Sequence, residues 1–249
     1  MMKKIIIWAL VFCVFSCSTE DANNCFQNAG TTIVKQVEVP EFNRVLVNRN
    51  VALIITSAPN FSVSIETGEN LMNDVSVTVV NNQLQLTDNN ICNFVRDYNP
   101  VKVYVSAPNI NEIRSSTQFN IRSEGVLDFE NLKLISENFN EPDAFTVGDF
   151  TLQVATQRIQ VVSNNLSSFY LSGTTENASV GLYSGIGRFE GRNLVAQRIQ
   201  VYHRGSNDMV VNPVQELTGN LYGTGNLIAV QRPNLVQVTR HYKGRLIFE

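Results

Sequence analysis

The chain has 249 residues, 43% of them apolar, with 19 basic and 22 acidic side chains and a formal net charge of -3. That is enough apolar material for one sizeable core, and a near-balanced charge without a basic run argues against a nucleic-acid partner. With two histidines and one tryptophan in all, the chain is poor in the residues that metal-dependent and sugar-stacking sites draw on.

At the amino terminus Lys3 and Lys4 precede an apolar run from Ile5 to Phe15. The run is too short to span a bilayer as a helix and has the proportions of a secretory signal. It ends in Val14-Phe15-Ser16-Cys17, which resembles a bacterial lipobox, although Phe15 is bulky where small residues are usual. Residues 1–16 are therefore predicted to be a lipoprotein signal peptide that carries away Trp8, and Cys17 to be the lipidated first residue of the mature chain. Residues 17–35 read as a polar, flexible tether. Its Glu20-Asp21 pair resembles the tags that carry some lipoproteins to the outer face of the outer membrane. The expected location is the bacterial cell envelope, anchored by lipid to the outer membrane, with the periplasmic and surface faces both open.

Four cysteines reduce to two once Cys13 leaves with the signal and Cys17 takes lipid. In an oxidising compartment Cys25 and Cys92 are candidates for one disulfide, with free thiols as the alternative. Without nearby histidines they make only half a zinc site, so no metal or other cofactor is expected.

From Val37 to Pro108 the pattern alternates strongly, as in Val51-Ala52-Leu53-Ile54-Ile55, Val75-Ser76-Val77-Thr78-Val79 and Leu84-Gln85-Leu86. Turn signals at Ala58-Pro59-Asn60, Thr67-Gly68-Glu69-Asn70 and Asn81-Asn82 separate these runs, which predicts antiparallel hairpin strands over residues 36–110.

Beyond residue 111 a longer period sets in. Tyr183, Tyr202, Tyr222 and Tyr242 are 19, 20 and 20 residues apart. The preceding residues extend a column back through Leu221, Val201, Leu182, Val161, Leu134 and Ile113, with His241 in the last place. Only the Leu134 to Val161 step is long, 27 residues, and it holds the turn-prone Asn140-Glu141-Pro142-Asp143, so an outward loop is expected there. Gln157-Arg158-Ile159-Gln160-Val161 recurs identically as Gln197-Arg198-Ile199-Gln200-Val201, two periods later. A beat of about twenty residues with period-two strands predicts stacked coils, each contacting only its neighbours. The predicted fold is all-β: a right-handed β-helix or β-solenoid with coils of about 20 residues over 111–249, preceded by the hairpin strands, the whole of 36–249 forming one domain. Val161, Leu182, Val201 and Leu221 should stack inside.

The tyrosines, one position later, should form an aromatic ladder outside. Two uses remain open: rings that only stabilise neighbouring strands, or a binding strip for a surface protein or glycan, since tyrosine gives large contact area at little entropy cost. Catalytic signatures are scarce. His203 and His241 belong to no metal-binding string and read as capping or surface residues; no Gly-x-Ser-x-Gly elbow occurs. Glu137, Asp143 and Asp149 are the acids a β-helical polysaccharide lyase or hydrolase would use, yet neighbouring coils offer Asn, Ser and Gly where partner acids should sit. The Asn-x-Ser strings at Asn60, Asn165 and Asn177 match a glycosylation pattern that a bacterial lipoprotein does not need.

The order of parts resembles the auto-transporter adhesin head GIN domain family, common in lipoproteins of Bacteroidetes-like bacteria. The resemblance covers roughly residues 40 to 245. It rests on the opening strands from Phe42 to Leu53, the junction Val103-x-Val105-x-Ala107-Pro108 running to Ile113, and the late glycine-bearing turns at Leu182-Tyr183-Ser184-Gly185-Ile186-Gly187 and Leu221-Tyr222-Gly223-Thr224-Gly225. Ser115-Ser116-Thr117 stands where the family has a small, glycine-bearing turn. The resemblance implies a β-helix-like fold and an envelope role as an adhesin or surface-binding scaffold, with no catalytic residues. A periplasmic structural or sensing lipoprotein is the further alternative.

Overall fold

The structure is a computed structural model that describes residues 27–90 and 100–249. The signal segment, Cys13, Cys17, Cys25 and Cys92 lie outside the described residues. The fold is all-β, with seventeen strands among the described residues in one continuous sheet.

Two ladders of hydrogen-bonded strands run through this sheet. In the first, β2 (Arg44–Val47) lies between β6 (Gln83–Asp88) and β8 (Glu112–Ser115). It continues parallel through β10 (Asn131–Ser136) into the carboxy-terminal halves of β11 (Phe150–Ser163), β12 (Phe169–Leu182), β13 (Phe189–His203) and β14 (Met209–Leu221), and ends at β16 (Leu235–Arg240). In the second, β3 (Val51–Ser57) lies between β7 (Val101–Ala107) and β9 (Ile121–Leu127). That ladder continues parallel through the amino-terminal halves of β11 to β14 and ends at β15 (Leu227–Ala229) and β17 (Leu246–Phe248). At the other end β4 (Ser62–Gly68) pairs antiparallel with β7 and with β1 (Thr32–Val37), and β5 (Val75–Val80) pairs antiparallel with β6. The hairpin region is thus mixed: β5 and β6 form the expected hairpin, but β2 and β3 already belong to the parallel ladders. Alternating apolar residues look the same in both kinds of pairing, so period two alone could not separate them.

Both ladders close on one core. In the second, Ile121, Phe150, Phe169, Phe189, Met209, Leu227 and Leu246 stack in register. Phe150 and Phe169 are fully buried with ring centroids 4.8 Å apart, the inter-strand spacing itself. In the first ladder the inner column is Leu84, Val45, Ile113, Leu134, Val161, Val180, Val201, Gly219 and Val238. Gly219 is needed there: its φ is 138° and a Cβ would stand 2.0 Å from the Val201 carbonyl oxygen.

This register corrects the expected column beyond Val161. Val161 pairs with Val180, not Leu182, while Leu182 lies between Ser163 and His203, and Leu221 between His203 and Arg240. The slip is two residues, so every side chain keeps its expected face. His203 is consequently no surface or capping residue. It is fully buried, and among the described residues no well-formed hydrogen bond reaches either ring nitrogen. Burial pushes its pKa below the usual histidine value, only partly offset by the Asn207 backbone and the Asp208 carboxylate.

Because the folded protein holds His203 neutral, the unfolded chain binds the proton more readily. Its contribution is complete above the ordinary histidine pKa of about 6.5 and is lost as pH falls below it. Replacing His203→Leu, between Leu182 and Leu221, should therefore reduce the fall in urea midpoint between pH 7.5 and 5. Equal pH slopes for the two proteins would refute this account.

Candidate functional surface

Side chains that alternate with the inner columns make the outward face of the first ladder. One row is Lys133, Gln160, Ser179, Gln200, Thr218 and Gln237, and beside it run Asn131, Arg158, Asn177, Arg198, Glu216 and Leu235. The repeated pentapeptide accounts for this arrangement, since its two copies sit on β11 and β13 with β12 between them. Arg158 donates to Asn131 Oδ1 at 2.8 Å and Arg198 to Asn177 Oδ1 at 3.4 Å, so arginine and asparagine alternate along the face.

On the other side of the glutamine row stands the aromatic ladder. Tyr183 and Tyr202 stack with centroids 4.8 Å apart, Tyr202 and Tyr222 follow at 5.1 Å, and the ring of His241 lies on Tyr222 at 4.2 Å. Tyr202 is paired with Gly181 and Asn220, and its ring neighbours Tyr183 and Tyr222 reach it from two residues further along their chains. Tyr183 lies just past the end of β12 and folds back over Gly181, where a Cβ would stand 2.5 Å from its ring. Gly181 is paired with Tyr202, which brings the two rings together. That fold-back is the origin of the two-residue slip, because aligning the tyrosines equated a residue beyond a strand end with one inside a strand.

The last place differs from expectation. His241, expected in the apolar column, completes the aromatic ladder, with Nε2 2.9 Å from Asn220 Oδ1. Tyr242 does not join the stack: it is exposed and stands 5.7 Å from the Lys243 ammonium. At the opposite end Phe139 meets Tyr183 edge-on at 6.3 Å. The sequence carried no sign of this contact, since Phe139 sits on the long loop outside the repeat.

Stacking has a consequence for recognition. The broad faces of Tyr202 and Tyr222 lie against neighbouring rings, so the ladder shows solvent its phenol edges and hydroxyls. A sugar stacks on a ring face, and here those faces are occupied.

The acidic candidates are scattered. Glu137 is buried, holding Arg114 at 3.0 Å and accepting from the Phe139 amide at 2.6 Å. Burial pushes its pKa up, but the Phe139 amide, the Arg114 guanidinium and the Asn140 amide outweigh that and leave it below the usual carboxylate range. A general acid needs the opposite shift. Asp149 accepts from the Ser168 amide at 2.7 Å and holds a turn. Asp143 is on the exposed part of the loop. Among the described residues no group of His, Cys, Asp and Glu could hold a metal ion, and no helix is long and apolar enough to cross a membrane.

A family model described as "Putative auto-transporter adhesin, head GIN domain" matches residues 41–233. Among solved structures, a "putative adhesin" of Bacteroides fragilis superposes with a TM-score of 0.78 at 21% identity, covering 88% of this chain and 97% of its own. A "putative lipid binding protein" of Parabacteroides distasonis gives 0.61 at 12% identity, covering 88% and 97%. A "putative adhesin" of Parabacteroides merdae gives 0.57 at 13% identity, with the same coverage. These likenesses establish the fold. No functionally curated protein matches the sequence.

Tyr202 has an aromatic neighbour on both sides, and each such pair contributes roughly 0.2 to 1 kcal/mol. Tyr202→Ala should cost about 0.5 to 2 kcal/mol in urea denaturation, while Tyr242→Ala should leave the midpoint nearly unchanged. Equal losses at the two positions would dissolve the ladder as a stabilising unit.

Proposed function

Because the chain belongs to the head GIN domain family, we propose that it is a lipid-anchored cell-envelope protein acting as an adhesin or surface-binding scaffold without catalytic activity. The observation that carries this reading is the outward face of the first ladder, where in-register rows of amide and arginine side chains, flanked by the stacked tyrosine rings, form a broad, regular surface on a tightly paired sheet. A regular face with pre-placed polar and phenolic groups suits the docking of a protein surface, because little side-chain freedom remains to be lost on binding. Glu137, held by Arg114 and the Phe139 amide, is spent on structure, which speaks against the lyase or hydrolase alternative.

The sheet is best read as a β-solenoid. Successive pairings from β11 to β16 join residues 19, 21, 18 and 19 positions apart, as in Ser163 with Leu182, Leu182 with His203, His203 with Leu221 and Leu221 with Arg240. Circuits of that length match one coil of about twenty residues, and crossovers between parallel strands are right-handed almost without exception. The structure shortens the expected tether, since residues 32–35 lie in β1 and pair with β4, and on this reading the segment from Cys17 to the start of β1 joins the lipid to that end of the stack.

A disulfide between Cys25 and Cys92 is supported by their described neighbours. Gln27 Nε2 donates to the Asn70 carbonyl at 2.7 Å, and Asn90 Nδ2 to the Leu71 carbonyl at 3.5 Å, so the chain two residues from each cysteine docks on the same 3-10 turn, Glu69–Asp74. Protein denatured without reductant should show neither thiol reactive, and the Cys92→Ser variant should lose a few kcal/mol of stability. Quantitative alkylation of both thiols without reductant would exclude the bridge.

Placement in the envelope is tested by protease treatment of intact cells. Digestion of the wild-type chain on intact cells, and loss of the chain from the membrane fraction in Cys17→Ala, is the expected result. Protection until the outer membrane is breached would overturn direct adhesion and leave a periplasmic structural or sensing role.

A further inference from the structure

The one long step in the repeat builds a second feature, away from the tyrosines. The loop of residues 137–149 folds back across the outward face toward the β2 end of the stack. Three contacts hold it there: Glu137 pairs with Arg114 on β8, the Phe145 amide donates to Ser116 Oγ at 3.1 Å, and the Phe145 ring lies 4.1 Å beneath the Arg49 guanidinium. Between the loop and the sheet is a groove of about 500 Å³. Its floor includes Gln83 and Gln85 of β6 with Leu46 of β2 and Asn48 just beyond it, and the loop contributes Glu141, Asp143 and Ala144 to its lining.

The polar groups converging there are unspent. Among the described residues no hydrogen-bond partner engages the side chains of Gln83, Gln85, Glu141 or Asp143, and Arg49 has its contact with Phe145 but no ion pair. Asn48 uses its Nδ2 on Thr87 and keeps its Oδ1. The groove therefore offers amides that donate and accept, a guanidinium that donates and carboxylates that accept, around the small apolar patch of Leu46 and Ala144. That is the complement of a sugar, in which each hydroxyl both donates and accepts and one face carries C–H groups.

Charge narrows the ligand. Arg114 is paired with Glu137, which leaves Arg49 against Glu141 and Asp143, an excess of negative charge that disfavours acidic polysaccharides. Nor is the floor suited to a peptide strand: β2 pairs on both sides, with β6 and β8, so it has no open backbone edge to extend. From these observations we infer that the groove beneath the 137–149 loop is a binding site for a neutral oligosaccharide, whose hydroxyls exchange hydrogen bonds with the Gln83 and Gln85 amides and donate to the Glu141 and Asp143 carboxylates. This site is separate from the tyrosine face and does not depend on the envelope role.

The test is calorimetric titration of the full-length protein in a sugar-free detergent with maltotetraose, cellotetraose, mannotetraose and tri-N-acetylchitotriose, alongside polygalacturonate and hexalysine. At least one neutral oligosaccharide should bind saturably, and the Gln85→Ala/Glu141→Ala double variant should weaken it about tenfold, while Tyr202→Ala leaves it unchanged. Should the double variant lose its wild-type urea midpoint, Glu141→Gln on the exposed loop replaces it and should weaken binding in the same direction. Three results overturn the assignment: no neutral oligosaccharide binds, binding is unchanged in these variants, or only hexalysine or polygalacturonate binds. Failure here, with surface digestion of the protein on intact cells preserved, would leave the adhesin reading standing and remove only this ligand.

Discussion

Most of this molecule follows from strands that hydrogen-bond in parallel register to strands about twenty residues along the chain, with register shifts only at a few positions between β9 and β14. The pairing fixes the spacing of backbones at about 4.8 Å, and each side chain inherits that spacing from its own residue. Phe150 and Phe169 stack inside at 4.8 Å, and Tyr183 and Tyr202 stack outside at the same distance. The pairing makes the core column directly, while the exposed ladder also needs Tyr183 and Tyr222 to lean back by two residues onto Tyr202. It also places Arg158, Asn177 and Arg198 in a row, since residues twenty apart in sequence become immediate neighbours.

The constraint leaves its tolerance at the corners. The long strands β11 to β14 serve both ladders, and where they pass from one to the other the inner positions are small: Thr156, Thr175, Ala196 and Pro213 follow one another in register. Thr156 and Thr175 are buried and satisfy one another through a 3.0 Å hydroxyl bond. Near the turns the interior accepts polar groups too. Ser136 and Ser167 bond to each other at 2.7 Å, but among the described residues Ser115 and Ser163 have no partner for their hydroxyls, and no well-formed hydrogen bond reaches the His203 ring. Groups of this kind are costly, and a core that contains them depends on the backbone pairing and the phenylalanine column to remain stable.

The same constraint explains what could be read from the sequence. The twenty-residue beat, the inside and outside faces, the long step after Leu134 and the aromatic ladder were all legible, because each reflects a regular spacing. The exact register was not, since a slip of two residues leaves the period-two pattern intact and only the fold-back of Tyr183 over Gly181 decides it. His203 reads from the sequence as a capping or surface residue because its chemistry suggests one, whereas its inward position follows from the register. The phenylalanine column was available in the sequence, at Phe150, Phe169 and Phe189, but the tyrosines set the alignment and drew attention to the other ladder. Phe139 and the groove could not be read at all, because the path of the loop depends on Arg49, Arg114 and Ser116, which are remote in sequence from Phe145.

Stability and recognition are divided along these lines. The tyrosine faces are committed to one another, so changing a ring alters the stack before it alters a binding surface, and the ladder can vary little without cost to the fold. The exposed tip of the 137–149 loop, residues 140–143, is under no such restriction. The loop leaves the repeat after β10 and rejoins it at β11, with Leu134 still paired to Val161, so the stack continues beneath it unchanged. Residues such as Glu141 and Asp143 can therefore change with little effect on register or core. A repeating sheet acquires specificity most readily where one circuit is longer than the others, and in this chain that circuit also roofs the groove.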